Sequence, residues 1–208
     1  MFGGNFQTWK LHSAQDYFMF FAYILAGVLV FWLIAKYMNK QRNHEKAVEK
    51  VSGRLKKICG KPGQVLKNAT LNLPEGKMTF DAVLMDKRGV YLVRTYGWGI
   101  KIYGTPDGAM WRREDAKRKE EFENPLLELK KGAAELAKVM EENGVQNLKV
   151  MPMVVFADNF QTPELYLGYG SFSTTYQELK SWYKKQSGVK EVQYDYDKVS
   201  SIIKGLAK

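Results

Sequence analysis

Nineteen consecutive residues without a charge, Tyr17–Ala35 (YFMFFAYILAGVLVFWLIA), constrain this chain more than any other feature. At a rise of about 1.5 Å per residue, a helix of that length is roughly 28 Å long, close to the hydrocarbon thickness of a bilayer. Asp16 and Lys36 bound the stretch. Tyr17 and Tyr37 stand at its two ends, with Trp32 close to one of them, where amphipathic rings favour the headgroup region. A cleaved signal peptide fits less well, because its apolar region is shorter, no A-x-A site follows here, and the next segment is strongly basic. A helix lying on a globular core would carry a polar face, and this stretch has none. The stretch is therefore read as one transmembrane helix.

Charge sets the expected orientation. The residues before the span hold Lys10 and Asp16, whereas Lys36, Lys40, Arg42, Lys46 and Lys50 follow it closely. The positive-inside rule then puts the N-terminus outside and the bulk of the chain in the cytoplasm, as a single-pass protein of the cell membrane. The formal net charge is +10. Much of it lies just past the span, where Arg54, Lys56 and Lys57 extend the basic run. These eight cations are candidates for contact with anionic headgroups, at about 1 kcal/mol per cation, or with nucleic acid phosphates. Charge alone leaves both partners open.

The inventory of reactive side chains is short. Cys59 is the one cysteine, so no intrachain disulfide can form, in keeping with a reducing compartment. His12 and His44 are the only histidines. A Ser-His-Asp triad, a Cys-His dyad and a His-rich zinc site all lack their parts. There is no Walker A motif, and Gly97-Trp98-Gly99 and Gly168-Tyr169-Gly170 lack the third glycine of a dinucleotide fingerprint.

About 170 residues follow the span, enough for one domain with its own core. Asn43–Ile58 places Ala47, Val48, Val51, Leu55 and Ile58 on one helical face, with Asn43 as N-cap. Val65–Leu73 reads as a strand. Lys77–Met85 alternates, with Met78, Phe80, Ala82 and Leu84 expected on one face. It forms a hairpin with Val90–Tyr96 across the turn Asp86–Gly89. Ile100–Tyr103 and Met110–Arg112 read as short strands. The charged run Arg113–Glu123 reads as a solvated helix or loop. Asn124-Pro125 opens a helix to about Glu142. Leu148–Ala157 is an apolar strand of the kind buried on both faces, in which Pro152 predicts an edge or a bulge. Leu165–Leu167 is a last short strand, and Thr174–Gln186 and Asp195–Ala207 read as helices. This order predicts an α/β domain with a mixed sheet flanked by helices.

Several strings in that order resemble the nuclease-related domain, or NERD, of the PD-(D/E)xK, restriction-endonuclease-like superfamily. They are the first helix around Glu45, Phe80-Asp81-Ala82-Val83-Leu84, Gly89-Val90-Tyr91-Leu92-Val93, Gly99–Gly104 with Trp111 downstream, Asn124-Pro125-Leu126 and Val154-Val155-Phe156. The resemblance spans about residues 44–185. It implies a restriction-endonuclease-like mixed sheet. Together with the span and the charge around it, the expected organisation is an extracytoplasmic tail over 1–16, the membrane helix over 17–37, a basic linker over 38–42, the nuclease-related domain over 43–187 and a helical extension over 188–208.

In that family an acidic residue on the second strand faces a Glu-x-Lys on the third. Two carboxylates hold a divalent metal that activates water, and the lysine offsets developing charge. The second-strand acid falls on Asp81, but the glutamate falls on Arg94 and the lysine on Tyr96. The helix glutamate falls on Glu45, and a glutamine that often follows the Asn-Pro start falls on Glu128. Arginine cannot ligate a metal, so the resemblance implies a catalytically degenerate, cofactor-free member that binds a protein or nucleic-acid partner at the membrane. One alternative is an active Mg- or Mn-dependent nuclease with migrated ligands, using Glu45, Asp81 and Glu128 with Lys77 or Lys101. The other is a structural subunit of a membrane complex.

Overall fold

The computed structural model describes residues 14–41, 44–97, 100–116, 118–158, 162–185 and 194–207. The chain divides into two units, Met1–Lys40 and Gln41–Lys208.

The first unit is built on helix α1 (Ala14–Gln41), which runs past both ends of the apolar stretch. Its segment Tyr17–Lys36 is long and apolar enough to cross a membrane. Its large side chains, Phe18 and Phe31 among them, are exposed around the helix. The ammonium of Lys36 lies 4.6 Å from the centre of the Trp32 ring. Lys10 and His12 lie outside the described residues.

The second unit begins with α2 (His44–Cys59), followed by β1 (Gln64–Leu73), β2 (Gly76–Asp86), β3 (Gly89–Tyr96), β4 (Lys101–Gly104), β5 (Met110–Glu114) and β6 (Lys119–Glu123). Then come α3 (Pro125–Glu142), β7 (Val150–Phe156), β8 (Glu164–Leu167), β9 (Ser173–Thr175), α4 (Leu179–Lys185) and α5 (Tyr196–Leu206). The strands form two mixed sheets, ordered β1-β2-β3-β7-β9 and β6-β5-β4-β8. In the first, β1, β2 and β3 are antiparallel neighbours, while β7 runs parallel to both β3 and β9.

Helices cover both faces of the first sheet, which is why its middle strands carry consecutive apolar residues, as in 82–85, 90–93 and 153–156, rather than alternating. On one face Ala47, Val51 and Leu55 of α2 and Leu179 and Tyr183 of α4 pack on Ala82, Leu84, Tyr91, Val93, Met153 and Val155. On the other, α3 and α5 cover Val83, Met85, Leu92, Val154 and Phe156, and this core extends to Ile102 and Trp111 of the second sheet.

Four sequence expectations need correction. The first is the face of β2, where Met78 and Phe80 pack in the α3 core while Ala82 and Leu84 pack in the α2 core. The pleat is interrupted between them: the partners run from Lys67↔Ala82 to Ala69↔Phe80, passing over Asn68 and Asp81. Asn68 takes a left-handed φ of 47° there. Leu66 and Ala69 of β1 share one face for the same reason.

The second is the run Arg113–Glu123, in which Arg113 and Glu114 end β5 and Lys119–Glu123 form β6 rather than a helix or loop. Arg113 pairs with Glu120, and Lys119 meets Glu114 at 3.2 Å, so opposite charges face each other across the β5–β6 hairpin. Phe122 packs edge-on against Trp111. The third is Pro152, which is buried in an inner strand of the sheet, so the expected edge holds only locally and not for β7 as a whole. β9 pairs only from Val154 onward, so that flank of β7 carries no strand at Pro152. The fourth is the helix expected over Thr174–Gln186. Ser173–Thr175 is strand β9, and the helix starts only at Leu179. The Thr175 hydroxyl accepts the Glu178 N–H at 3.2 Å, turning the chain before the helix.

Candidate functional site

The interrupted pleat of β2 places Asp81 where β2, β3 and the starts of α2 and α3 meet. The residue is 95% buried, and each of its carboxylate oxygens has a polar neighbour. Oδ2 accepts the backbone N–H of Thr95 at 2.6 Å. Oδ1 lies 3.3 Å from His44 Nε2 and 3.9 Å from Arg94 Nη1. Arg94 projects from β3, and its Nη2 donates to Glu128 Oε2 at 2.7 Å. Glu128 lies in the first turn of α3. That turn is fixed by Asn124, whose side-chain oxygen accepts the Leu126 N–H at 2.9 Å and whose amide donates to Gly108 O at 2.7 Å. A guanidinium thus stands between two carboxylates, one buried and one about half exposed.

Tyr96, two residues along β3, is stacked on Phe156 at 5.6 Å and leans on Phe122 at 5.5 Å. Burial pushes its phenol up to about 12, with the nearby Arg94 charge opposing that shift. It is a neutral, packed ring at physiological pH.

The structure brings together Asp81, Arg94 and Glu128 from the expected set, with Tyr96 alongside. Glu45 is exposed in the first turn of α2. Lys77 sits at the far end of β2, opposite Asn72. Lys101 belongs to β4, where its ammonium is 4.0 Å from Glu164. His44 is the contact that sequence reasoning missed. It directly precedes Glu45, and its position at the start of α2 was the available signal. Arg94 also makes its short contact with Glu128 rather than with Asp81, the partner expected from the hairpin. Among the described residues, no group of three or more His, Cys, Asp or Glu side chains could hold a metal ion.

Of the basic run, Lys50, Arg54 and Lys57 line a groove with residues of α4, while Lys46 and Lys56 lie outside that lining. Arg42 and the side chain of Lys40 lie outside the described residues.

A helix-led mixed α/β domain, with an acidic side chain on the second strand facing the third and flanked by two helix starts, defines a class of strand-borne acidic sites. The family model described as the nuclease-related domain matches residues 40–157, more than half of the chain, and the chain belongs to that family. No curated protein and no solved structure matches it.

Proposed function

We propose that this chain is a membrane-anchored nuclease-related domain whose catalytic constellation has become an ion-paired cluster, and that it acts by binding, as a scaffold module at the cytoplasmic membrane face. The observation that carries this reading is Arg94 between Asp81 and Glu128. A two-carboxylate metal site needs lone pairs directed at one point. Both oxygens of Asp81 already have partners, and Glu128 is held by the guanidinium. Arginine offers five donors and no acceptor, and its fixed charge repels a dication. The residues present therefore do not fit a divalent metal. Tyr96, where the family carries lysine, is neutral and cannot offset charge developing on a phosphate. The helix that is long and apolar enough to span a bilayer supports the anchor, and the cations after it support the inward orientation.

The test uses the full chain in neutral detergent, incubated with DNA and RNA in Mg²⁺ or Mn²⁺. The expected result is no cleavage, and no stoichiometric heat when Mn²⁺ is titrated to millimolar concentration. Cleavage that Asp81→Ala abolishes would overturn the reading and establish a nuclease with relocated ligands.

A further inference from the structure

At the other end of α2, about 15 Å along the helix from His44, lies a second site. A groove of about 720 Å³ runs between α2, the β2–β3 turn and α4. It is lined by six cations, Lys50, Arg54, Lys57, Arg88, Lys180 and Lys184. Glu49 is the one carboxylate in that lining. The buried carboxylate of Asp86 nearby accepts from the Tyr183 hydroxyl and the Arg88 backbone N–H, neutral donors that leave its charge in place, so the six cations face two carboxylates, Glu49 and Asp86. The volume falls within the roughly 300–1,000 Å³ typical of small-molecule sites. A concave wall of one sign focuses potential and concentrates counter-ions.

The two guanidiniums are held in place rather than free to wander. Arg54 lies over the Tyr176 ring at 4.6 Å and donates to Gln177 O at 3.3 Å. Arg88 lies over the Tyr183 ring at 4.0 Å and donates to Tyr183 O at 2.7 Å. Each keeps further N–H groups beyond its backbone contact, and a planar fork of this kind matches the oxygens of a phosphate. The lysines of α2 and α4 flank them as further positive charges. We propose that this groove binds a small phosphate-bearing anion, either free or as the headgroup of a lipid. The inference goes beyond the reading of the Asp81 cluster, because anion affinity and nucleic-acid cleavage are separate measurements.

Gly53 supplies the decisive variant. It lines the groove, and an added Cβ there meets nothing within 4 Å. Gly53→Glu therefore puts a carboxylate beside the cations while improving helix propensity, so the fold is kept and an unchanged thermal midpoint checks this. The full chain is placed in nanodiscs of phosphatidylcholine and titrated with inorganic pyrophosphate by calorimetry. In parallel, lysine acetylation is mapped by mass spectrometry in nanodiscs with and without phosphatidylglycerol, with exposed Lys138 as reference. Stoichiometric pyrophosphate binding, weakened about tenfold or more by Gly53→Glu, supports the site with a free ligand. Protection of Lys50, Lys57, Lys180 and Lys184 only in the phosphatidylglycerol discs, lost in Gly53→Glu, supports it with a headgroup. Absence of both effects, or effects that Gly53→Glu leaves unchanged, would overturn the proposal.

Discussion

Arg94 reads differently once its neighbours are known. Alone on β3 it is a cation where the family has an anion; between Asp81 and Glu128 it neutralises what would be a repelling pair. Asp81 depends on several partners at once, so Asp81→Ala leaves the Thr95 N–H buried and unmet and frees Arg94 on one side. The expected cost is about 2–3 kcal/mol, seen as a lower unfolding midpoint in detergent. Reversing the departure gives a complementary prediction: Arg94→Glu with Tyr96→Lys should produce stoichiometric Mn²⁺ heat in calorimetry, where the proposed reading expects none from the native chain. The Asp81–Arg94 neighbourhood was legible, because a tight hairpin fixes which residues oppose one another. His44 and the Arg94–Glu128 bond were not, since they depend on how two helix starts dock on the sheet, and no local periodicity encodes docking.

Among the elements, α3 carries most of the site's positional accuracy, and Asn124 holds its start. One buried side chain caps the helix and ties it to the β4–β5 turn through Gly108 O, with a longer bond to Pro106 O at 3.2 Å. Asn124→Ala removes the cap and leaves buried carbonyls without a donor. A loss of about 2–3 kcal/mol is expected, together with a weaker hold on Glu128, measurable by chemical denaturation and by amide exchange at Leu126. This helix was legible from its Asn-Pro start and its apolar period. The β5–β6 hairpin was hidden because its stability comes from charges facing across strands, and a charged run in one strand looks the same as a solvated loop. β9 was hidden because three residues are too few to show a period of two, and their pairing comes from β7, a distant segment.

On the scale of the whole molecule, five tyrosines give the second unit a shared response to alkali. Burial pushes Tyr91, Tyr96 and Tyr196 up to about 12 and raises Tyr183 and Tyr194 as well. In the unfolded chain these phenols ionise near about 10. Because the folded values are raised, the stability they contribute is fully present below about pH 10 and is lost as pH rises through the folded values. The thermal midpoint should hold up to that point and then fall toward about pH 12, with tyrosinate absorbance lagging behind free tyrosine until the fold opens. Topology is testable on the same scale. With Cys59→Ala and Ser13→Cys, an impermeant maleimide should label intact cells, and labelling only after lysis would reverse the orientation. The α/β class was legible from element order, whereas the division into two sheets was not, because β4, β5 and β8 pair by register that only the assembled chain reveals.

The guanidinium clasp also decides which single changes the cluster tolerates. Arg94→Glu alone would set a third carboxylate beside Asp81 and Glu128 with no cation between them. Tyr96→Lys alone would put an ammonium where a ring stacks on Phe156. Each change made singly is expected to weaken the protein. The arginine thus works as a keystone: the acids on either side lean on it, and it can be exchanged only together with its surroundings.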